Sequence, residues 1–335
     1  MRILSFGFGS IAQRHINNLA ATYPISSLSV FLPRDSKGIT YRPHFDQHSL
    51  NINIIYDASS LSEYVLSLAS SDIVLIASPS VYHVEHLLLT LALCRREREK
   101  SPIIIVEKPL LINHQQLLDL KNFPPSYYSN VFVVSQLRVN PAYRLIRETI
   151  SDGALGDLRF VTINTHEAIQ LWHPWEDYKK SYAVKHSLGG GCLLTQMHDL
   201  ELLTSLLGFP SSTTLVRGQG DALNVDCDDY YALLSSGFSS SDVYSVTCQV
   251  SYYCKSPMRN YQLIFDEGSL HCDLLSAKCT LTKNSQSHIF NPTFDRNSMY
   301  LTLAQSVFDV NPSLFSGLVP FHESLKFHEW LTSLI

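Results

Sequence analysis

The stretch RILSFGFGSIAQRHINNLAAT, residues 2–22, sets a glycine-containing turn between a short apolar run and a helical pattern. The run RILSFGF predicts a β-strand, and SIAQRHINNLAAT predicts a helix with Ile11, Ile16 and Leu19 roughly on one face. A strand that leads at once into a helix is the first unit of a parallel sheet covered by helices. The beginning of the chain therefore predicts an α/β domain.

The same alternation of strand and helix continues to about residue 135. The further predicted strands are SLSVFL (27–32), INIIY (52–56), DIVLIASP (72–79), PIIIVEKP (102–109) and NVFVVSQ (130–136). The predicted helices between them are SLSEYVLSLAS (60–70), VEHLLLTLALCRRE (84–97) and NHQQLLDLKN (113–122). The strands are continuously apolar, as strands buried on both faces are. We therefore predict a Rossmann-type, doubly wound parallel sheet over residues 1–137.

The second half of the chain has a different pattern. Two helices are predicted, AYRLIRETISDG (142–153) and TQMHDLELLTSLLG (195–208), and short strands follow one another between residues 213 and 282. Many of these strands alternate polar with apolar residues, which is typical of an antiparallel sheet with one wetted face. The tail VPFHESLKFHEWLTSLI (319–335) predicts a closing helix. We predict a second domain over 138–335, of the α+β class with a large, mostly antiparallel sheet for substrate binding and oligomerisation.

Composition narrows the class of protein. The chain has 335 residues, 45% of them hydrophobic and 16% charged, with a net charge of -5. This fits a two-domain globular protein and gives no sign of a nucleic-acid or membrane partner. The seven cysteines are odd in number and lack C-x-x-C spacing, so we interpret them as reduced packing cysteines of a cytoplasmic protein. The beginning of the chain does not resemble a signal peptide, and no metal-ligand spacing is present.

The glycine turn predicts dinucleotide binding. Gly7, Gly9 and Ala12 have G-x-G-x-x-A spacing between the first strand and the first helix. Gly7 would permit a tight turn, Gly9 would let the backbone approach a pyrophosphate, and Ala12 would keep the helix close to the sheet. The helix begins at Ser10 and Ile11, whose free N–H groups would face the anion. The predicted cofactor is NAD or NADP.

The end of the second strand bears on the choice between the two. The segment LSVFLPRDSK (28–37) has no carboxylate before Asp35 to bind a ribose 2′-hydroxyl, and Arg34 lies just beyond the strand. A guanidinium there can stack on adenine or bind a 2′-phosphate. This favours NADP over NAD, with an ordinary exposed turn as the alternative interpretation of Arg34.

Two further segments carry candidate catalytic groups. The strand PIIIVEKP ends in Glu107, Lys108 and Pro109, at the edge of the sheet where ligands bind in open α/β folds. An ammonium beside a reacting carbinol can bind its oxygen and move protons if desolvated. The segment GGGCLLTQMHDLELL (189–203) places His198 on a helix after three glycines, and imidazole suits acid–base work. The alternatives are a local Glu–Lys pair and a structural histidine.

The segment WHPWEDYKKSYAVKH (172–186) is rich in aromatic and basic residues. Aromatic faces can cover the C–H surfaces of a sugar, and cations can bind phosphates or carboxylates. The candidate substrate residues are Trp175, Tyr178, Lys179 and Tyr182, with Trp172 as a second wall. The alternative is a packing loop at a domain or subunit interface.

With GFGSIAQRH, ASPSVYH (77–83), EKP and GGGCLLTQMH, nearly the whole chain resembles the glucose–fructose oxidoreductase and inositol dehydrogenase family, Gfo/Idh/MocA. Within it, the chain looks closest to a branch found with sugar-nucleotide and glycan-biosynthesis genes. The resemblance implies an NAD(P)-dependent oxidoreductase acting on a secondary hydroxyl or ketone of a sugar, and a homodimer or homotetramer formed through the second sheet.

The resemblance also implies roles for single residues. Lys108 would lie beside the nicotinamide and touch the substrate hydroxyl, with Pro109, often after a cis peptide, turning the chain. The turn with Ser78, Pro79 and His83 would contact the cofactor through its backbone; capping or packing is the alternative for His83.

In the second domain, Arg138 would help to shape the substrate pocket. Many relatives carry an aspartate near the helix histidine, whereas this chain offers Thr195, a further candidate substrate residue, and Gln196. The usual Asp–His relay is therefore in doubt, and Lys108 and His198 remain the predicted catalytic pair, expected to converge over one nicotinamide.

The missing aspartate keeps a second class of function open. The chain could be a non-catalytic NADP-binding sensor or scaffold protein of the same fold, which would bind cofactor tightly without turnover. A third option is an epimerase or hydrolase that recycles its bound nicotinamide.

Overall fold

The computed structural model describes residues 1–33, 52–56, 61–97, 101–308 and 316–335. The strands are β1 (Arg2–Phe6), β2 (Ser27–Leu32), β3 (Ile52–Tyr56), β4 (Ile73–Ile76), β5 (Ile103–Val106), β6 (Val131–Val134), β7 (Leu158–His166), β8 (Pro210–Gly218), β9 (Tyr230–Phe238), β10 (Ser245–Ser251), β11 (Met258–Phe265), β12 (Gly268–Asp273), β13 (Lys278–Lys283), β14 (Gln286–Phe290) and β15 (Leu318–Pro320). The α-helices are α1 (Ser10–Thr22), α2 (Leu61–Ser70), α3 (His83–Glu97), α4 (His114–Lys121), α5 (Pro141–Asp152), α6 (Cys192–Thr195), α7 (His198–Leu207), α8 (Arg296–Gln305) and α9 (Phe321–Ser333).

The first compact unit contains Met1–Gln136 and Asn297–Thr332. Its seven strands have the order β15-β6-β5-β4-β1-β2-β3. All neighbours are parallel except β15, which is antiparallel to β6. This is the predicted Rossmann sheet. Its strand order reverses next to β1, which is where open α/β sheets bind ligands.

Both faces of this sheet are covered by apolar side chains. Phe6, Val74 and Val106 lie in the cluster on one face, and Leu75 and Ile105 lie in the cluster on the other. Successive residues of a strand point to opposite faces, so a strand covered on both sides must be apolar at every position. This explains the continuous apolar runs in the sequence.

The end of the chain returns to the first unit, whereas we predicted one domain over 138–335. β15 pairs with β6, and the Ser135 N–H donates a hydrogen bond of 2.8 Å to the Gly317 carbonyl. The helix α8 packs Leu303 into the same core. A three-residue strand and a helix with little amphipathic pattern give too weak a sequence signal to reveal this return.

The second unit contains Leu137–Arg296 and Ser333–Ile335. Its eight strands have the order β14-β13-β12-β11-β7-β10-β9-β8, and only the β7–β10 pair is parallel. Alternate residues of β11 are buried, and Arg259 is one of them, beside Tyr261 and Leu263. The mostly antiparallel sheet with one wetted face is therefore as predicted, but its covered face contains a charge.

Several element boundaries differ from the prediction. The helix expected over 195–208 is broken at Gln196 and Met197 into α6 and α7. The elements β14, α8 and β15 were not predicted. None of the seven cysteines forms a disulfide. In the part of the chain that the structure describes, no helix is both long enough and apolar enough to cross a membrane.

Candidate functional site

The glycine turn after β1 is shaped to approach a ligand closely. Gly7 has φ +85°, and a Cβ there would lie 2.8 Å from the Ala77 carbonyl oxygen, so no side chain fits. Gly9 has an ordinary φ of -73°, and a Cβ built on it meets nothing within 4 Å. The turn is therefore tight at Gly7 and open over Gly9. α1 begins at Ser10, so the N–H groups of its first turn, including that of Ile11, start at this opening, which suits the pyrophosphate of a dinucleotide.

The turn after β4 lies beside the glycine turn. β1 and β4 are neighbours, and the Ala77 N–H donates a 3.0 Å hydrogen bond to the Phe6 carbonyl. Ser78 and Pro79 follow directly. The structure thus brings the predicted cofactor residues Gly7, Ser78 and Pro79 together at one edge of the sheet. Their contact with a cofactor stays a prediction.

The prediction on Arg34 falls outside the described residues. The preference for NADP over NAD therefore stays a prediction.

The loop after β5 begins with a buried ion pair. The Nε2 of His15 in α1 donates to the Oε1 of Glu107 at 2.6 Å, and the Lys108 N–H donates to Oε2 at 3.1 Å. Burial alone would raise the pKa of Glu107, but the hydrogen bond and charge of His15, with the charge of Lys108, hold it below its ordinary value. Glu107 therefore anchors the loop as a carboxylate. The Lys108–Pro109 peptide is cis, and Lys108 itself is half-buried.

His83 connects this loop to the turn after β4. Its side chain is 1% exposed, with Nδ1 at 2.7 Å from the Pro109 carbonyl oxygen and Nε2 at 2.9 Å from that of Ser78. Burial lowers the pKa of His83, and the two backbone hydrogen bonds oppose that effect. The side chain is thus engaged with protein backbone, which favours the packing interpretation. Backbone contact with a cofactor at this turn stays a prediction.

In the second unit, His198 is the first residue of α7 and is 5% exposed. The glycines before it allow close backbone packing, because a Cβ on Gly190 would collide with the Tyr182 carbonyl oxygen. Asp228 caps the short helix α6, accepting a 2.8 Å hydrogen bond from the Leu193 N–H through Oδ2. Burial is the largest cause that raises the pKa of the Asp228 carboxyl above its ordinary value.

Thr195 belongs to a chain of hydroxyl groups. Its Oγ1 lies 2.8 Å from the Gly191 carbonyl oxygen and 2.5 Å from the Tyr252 Oη, which lies 2.9 Å from the Ala183 carbonyl oxygen. Only two hydroxyl protons are available for these three contacts, so Thr195 and Tyr252 cannot donate to all three at the same time. Thr195 is 1% exposed, and its predicted substrate role stays a prediction.

The buried guanidinium of Arg259 contacts residues at the start of α7. The Arg259 Nη2 donates to Gln196 Oε1 at 2.6 Å, and its Nε lies 3.6 Å from the Oδ1 of the buried Asp199. The Tyr261 hydroxyl donates to the same Asp199 oxygen at 2.8 Å, and Glu167 lies 3.8 Å from Arg259. The residues on both sides of His198 in the sequence are thereby tied to β11. Gln196 lies near the position where the resemblance to the family implies an aspartate. Here it accepts a hydrogen bond from the Arg259 guanidinium.

Arg138 is paired with a carboxylate. Its Nε donates to the Oε1 of Glu201 on α7 at 2.8 Å, its Nη2 contacts the same oxygen, and both side chains are buried. The pair fixes the first turns of α7. A substrate role for Arg138 stays a prediction. In such a role Arg138 would have to contact the substrate while it is paired with Glu201.

The aromatic segment is partly exposed. Trp175 and Lys179 are exposed, Tyr178 and Tyr182 are half-buried, and the Tyr178 hydroxyl donates to the Leu223 carbonyl at 3.0 Å. Trp172 packs edge-on against Tyr252, with ring centroids 5.3 Å apart. Its indole N–H is buried and makes no hydrogen bond within the described residues. The exposed side chains are available to a ligand, but binding there stays a prediction.

The predicted site residues divide between the two units. The first unit holds Gly7, Gly9, Ser10, Ile11, Ser78, Pro79, His83, Glu107 and Lys108, and the second holds Arg138, Trp175, Tyr178, Lys179, Tyr182, Thr195 and His198. Sequence reasoning gave no role to His15, the partner of Glu107, or to His328. The sequence does carry a signal for the burial of His328, though not for its partner, since it lies on the buried stripe of α9 with Phe321 and Leu331.

Comparison with solved structures places this arrangement among known folds. An oxidoreductase from Thermotoga maritima matches with a TM-score of 0.74 and 16% identity, over 100% of this chain and 95% of that one. The chain has the fold of an NAD-binding oxidoreductase. Levoglucosan dehydrogenase, in complex with NADH and levoglucosan, matches with a TM-score of 0.71 and 15% identity, over 100% and 96%. UDP-N-acetylglucosamine 3-dehydrogenase from Acidithiobacillus ferrooxidans gives 0.67 and 13%, over 100% and 98%.

Sequence comparison adds nothing further, since no family model and no curated protein matches the chain. At these identities the solved structures establish the oxidoreductase fold over the full length of the chain.

Proposed function

We propose that this protein is an NAD(P)-dependent oxidoreductase that transfers a hydride between nicotinamide and a secondary hydroxyl or ketone of a sugar. The observation that carries the proposal is the turn that is tight at Gly7 and open over Gly9, directly before α1. This geometry suits a pyrophosphate at a helix N-terminus. The solved structures of the same fold include levoglucosan dehydrogenase in complex with NADH and levoglucosan, and UDP-N-acetylglucosamine 3-dehydrogenase.

The finer assignment is to the Gfo/Idh/MocA family and to nucleotide-sugar substrates of glycan biosynthesis. It is supported by the EKP and GGG motifs and by the exposed Trp175 and Lys179. An aromatic face and a nearby cation suit a sugar linked to phosphate. Arg34, just beyond β2, supports NADP as the cofactor. A homodimer or homotetramer through the second sheet fits its exposed apolar residues Val216 and Leu234.

The bound nicotinamide would supply the hydride chemistry. In our proposal the Lys108 ammonium binds the reacting oxygen of the substrate. The His198 imidazole takes a proton from that oxygen during oxidation and returns one during reduction. Gly7, Gly9, Ser10 and Ile11 hold the pyrophosphate through backbone groups. Thr195 and Gln196 replace the aspartate of relatives, so no carboxylate relay is assigned to His198.

Gly9→Ala tests cofactor binding separately from folding. The position for the new methyl group is empty, and φ is ordinary there, so we expect a melting temperature close to that of the wild type. The methyl group would obstruct the pyrophosphate, so NADPH and NADH should bind about tenfold more weakly or worse, corresponding to about 1.4 kcal/mol. Fluorescence titration measures the binding.

Gly7→Ala is the contrasting variant. It should lower the melting temperature, because its methyl group meets backbone at a positive φ. Unchanged nucleotide affinity in a folded Gly9→Ala protein would contradict the proposed cofactor site.

Lys108→Ala tests the catalytic assignment. Reduction of NADP⁺ or NAD⁺, followed at 340 nm with a panel that includes UDP-N-acetylglucosamine and levoglucosan, should fall to background while nucleotide binding persists. Near-normal turnover would remove Lys108 from the mechanism. Tight nucleotide binding by the wild type with no absorbance change for any sugar would favour the sensor or scaffold alternative.

A further inference from the structure

The Pro109–Leu110 peptide unit, one residue beyond Lys108, meets a buried imidazole at each of its polar ends. The carbonyl oxygen of Pro109 lies 2.7 Å from His83 Nδ1. The N–H of the same unit, on Leu110, donates to the Nε2 of His328 on α9 at 2.9 Å. The two histidines come from helices that are far apart in the sequence, and both are almost completely buried.

The contacts of His328 fix its tautomer. Its Nδ1 lies 2.8 Å from the Ser324 carbonyl oxygen, one helical turn earlier, so this nitrogen carries the proton. Its Nε2 is then a lone-pair acceptor, as the Leu110 N–H requires. Burial lowers the pKa of His328 to about 4, which keeps the ring neutral in this role. The Ser324 hydroxyl, 3.3 Å from Nδ1, is a further polar neighbour.

The loop depends on this acceptor because proline has no N–H group. Leu110 therefore provides the first backbone donor after Lys108. On the other side of Lys108, Glu107 is held by His15. Three imidazoles from α1, α3 and α9 thus fix the backbone on both sides of the lysine.

We propose that His328 is a positioning residue for Lys108, acting through the Pro109–Leu110 peptide. The catalytic part of this inference rests on the proposed role of Lys108. The contacts of His83 and His328 with the Pro109–Leu110 peptide belong to the folded chain and do not depend on that role. A polar atom placed by a rigid helix sets where the loop backbone lies, and the backbone sets where the ammonium can reach.

The test compares three variants of residues on α9. His328→Leu removes the acceptor, and His328→Gln can supply an amide oxygen at a similar reach. Leu331→Ala destabilises the same helix from another fully buried position that is not bonded to the loop. Two readouts that need no substrate are hydrogen exchange at the Leu110 amide and the rate at which trace acetic anhydride labels Lys108, followed by mass spectrometry from about pH 7 to pH 10.

We expect exchange at Leu110 to be about tenfold faster in His328→Leu than in the wild type, because one hydrogen bond worth about 1.4 kcal/mol is lost. The pH profile of Lys108 labelling should change in the same variant. His328→Gln should restore both readouts, and Leu331→Ala should leave the labelling profile unchanged.

Two outcomes would overturn the proposal. One is an unchanged labelling profile in His328→Leu, and the other is an equal change in Leu331→Ala, which would show general destabilisation instead. Both readouts work on a protein without turnover, so failure of the proposed oxidoreductase function would be seen separately, in the 340 nm assay.

Discussion

Two buried polar networks stabilise the candidate catalytic segments, and they are built from different chemistry. In the first unit, the loop around Lys108 is held by the imidazoles of His15, His83 and His328. In the second unit, the start of α7 is held by guanidinium–carboxylate contacts, Arg259 with Asp199 and Arg138 with Glu201.

The difference lies in what each network does with protons. Imidazole titrates near pH 6.5, so a buried histidine couples its hydrogen bonds to pH within the range where proteins work. Guanidinium stays charged throughout that range. The contact of His328 with the Leu110 N–H should therefore weaken as pH falls, because a proton on Nε2 removes the acceptor. The arginine network should be insensitive to moderate pH change, but breaking it by mutation should cause a large loss of stability.

Breaking the arginine network should give the largest effect. Arg259→Met leaves Asp199 buried without its cation, and we expect a loss of about 3–5 kcal/mol in the free energy of unfolding, measured by urea denaturation. Adding Asp199→Asn should recover part of this loss, since the fully buried carboxylate is then gone and only Glu167 has lost its cation.

Arg159→Met is the matched control in the same sheet. Arg159 pairs with Asp266 at the surface, where water and salt screen the pair. A loss in Arg259→Met no larger than that in Arg159→Met would show that the buried pair contributes little.

The pH response of His328 should come next in size. His328 has its pKa lowered to about 4 in the folded protein, against an ordinary value near 6.5. Below pH 6.5 the unfolded chain binds a proton there that the folded protein does not, so stability falls as pH falls toward 4. Between about pH 7 and about pH 5, His328 should account for a loss of about 2 kcal/mol.

His328→Gln isolates this contribution, because glutamine does not titrate. Other buried histidines, including His83 and His86, whose pKa is lowered first by burial, titrate in both proteins and cancel in the comparison. Equal losses in wild type and His328→Gln over this range, in urea titrations at both pH values, would contradict the assignment.

The smallest effect should come from the hydroxyl chain beside α6. Thr195→Val removes one hydroxyl. The Gly191 carbonyl still accepts a 3.0 Å hydrogen bond from the backbone N–H of residue 195, and the Tyr252 hydroxyl still donates to the Ala183 carbonyl. We expect a loss of about 1 kcal/mol. Thermal unfolding at pH 7 measures it, and a loss as large as that in Arg259→Met would mean that the hydroxyls are a main support of α6.

Much of the fold could be predicted from the sequence, because the first unit uses strong local signals. The helix over 10–22 and the strands over 27–32 and 52–56 have the predicted limits, since each apolar run is bounded by turn residues. The return of the tail could not be predicted, because pairing of β15 with β6 joins residues far apart in sequence, and three residues carry no periodicity.

The candidate site was predicted less completely. The glycine and EKP motifs directly follow β1 and β5, as their positions in the sequence predicted, and a ligand at that edge of the sheet stays a prediction. The partners of Glu107 and Leu110 could not be predicted, since His15 and His328 have ordinary helical positions and gain their meaning only from tertiary contact. Likewise, Arg259 stands in a strand whose pattern alone suggests an apolar side chain at that position.

The antiparallel pairing of β15 with β6 also affects how the protein is made. Between Val134 and Leu318, which are paired in the sheet, the ribosome must add 318 - 134 = 184 residues. At typical translation speeds this takes roughly 10–40 s. During that time β6 is an unpaired sheet edge, open to wrong partners. We therefore expect the nascent chain to depend on a chaperone in this interval, and fragments that stop before β15 to aggregate.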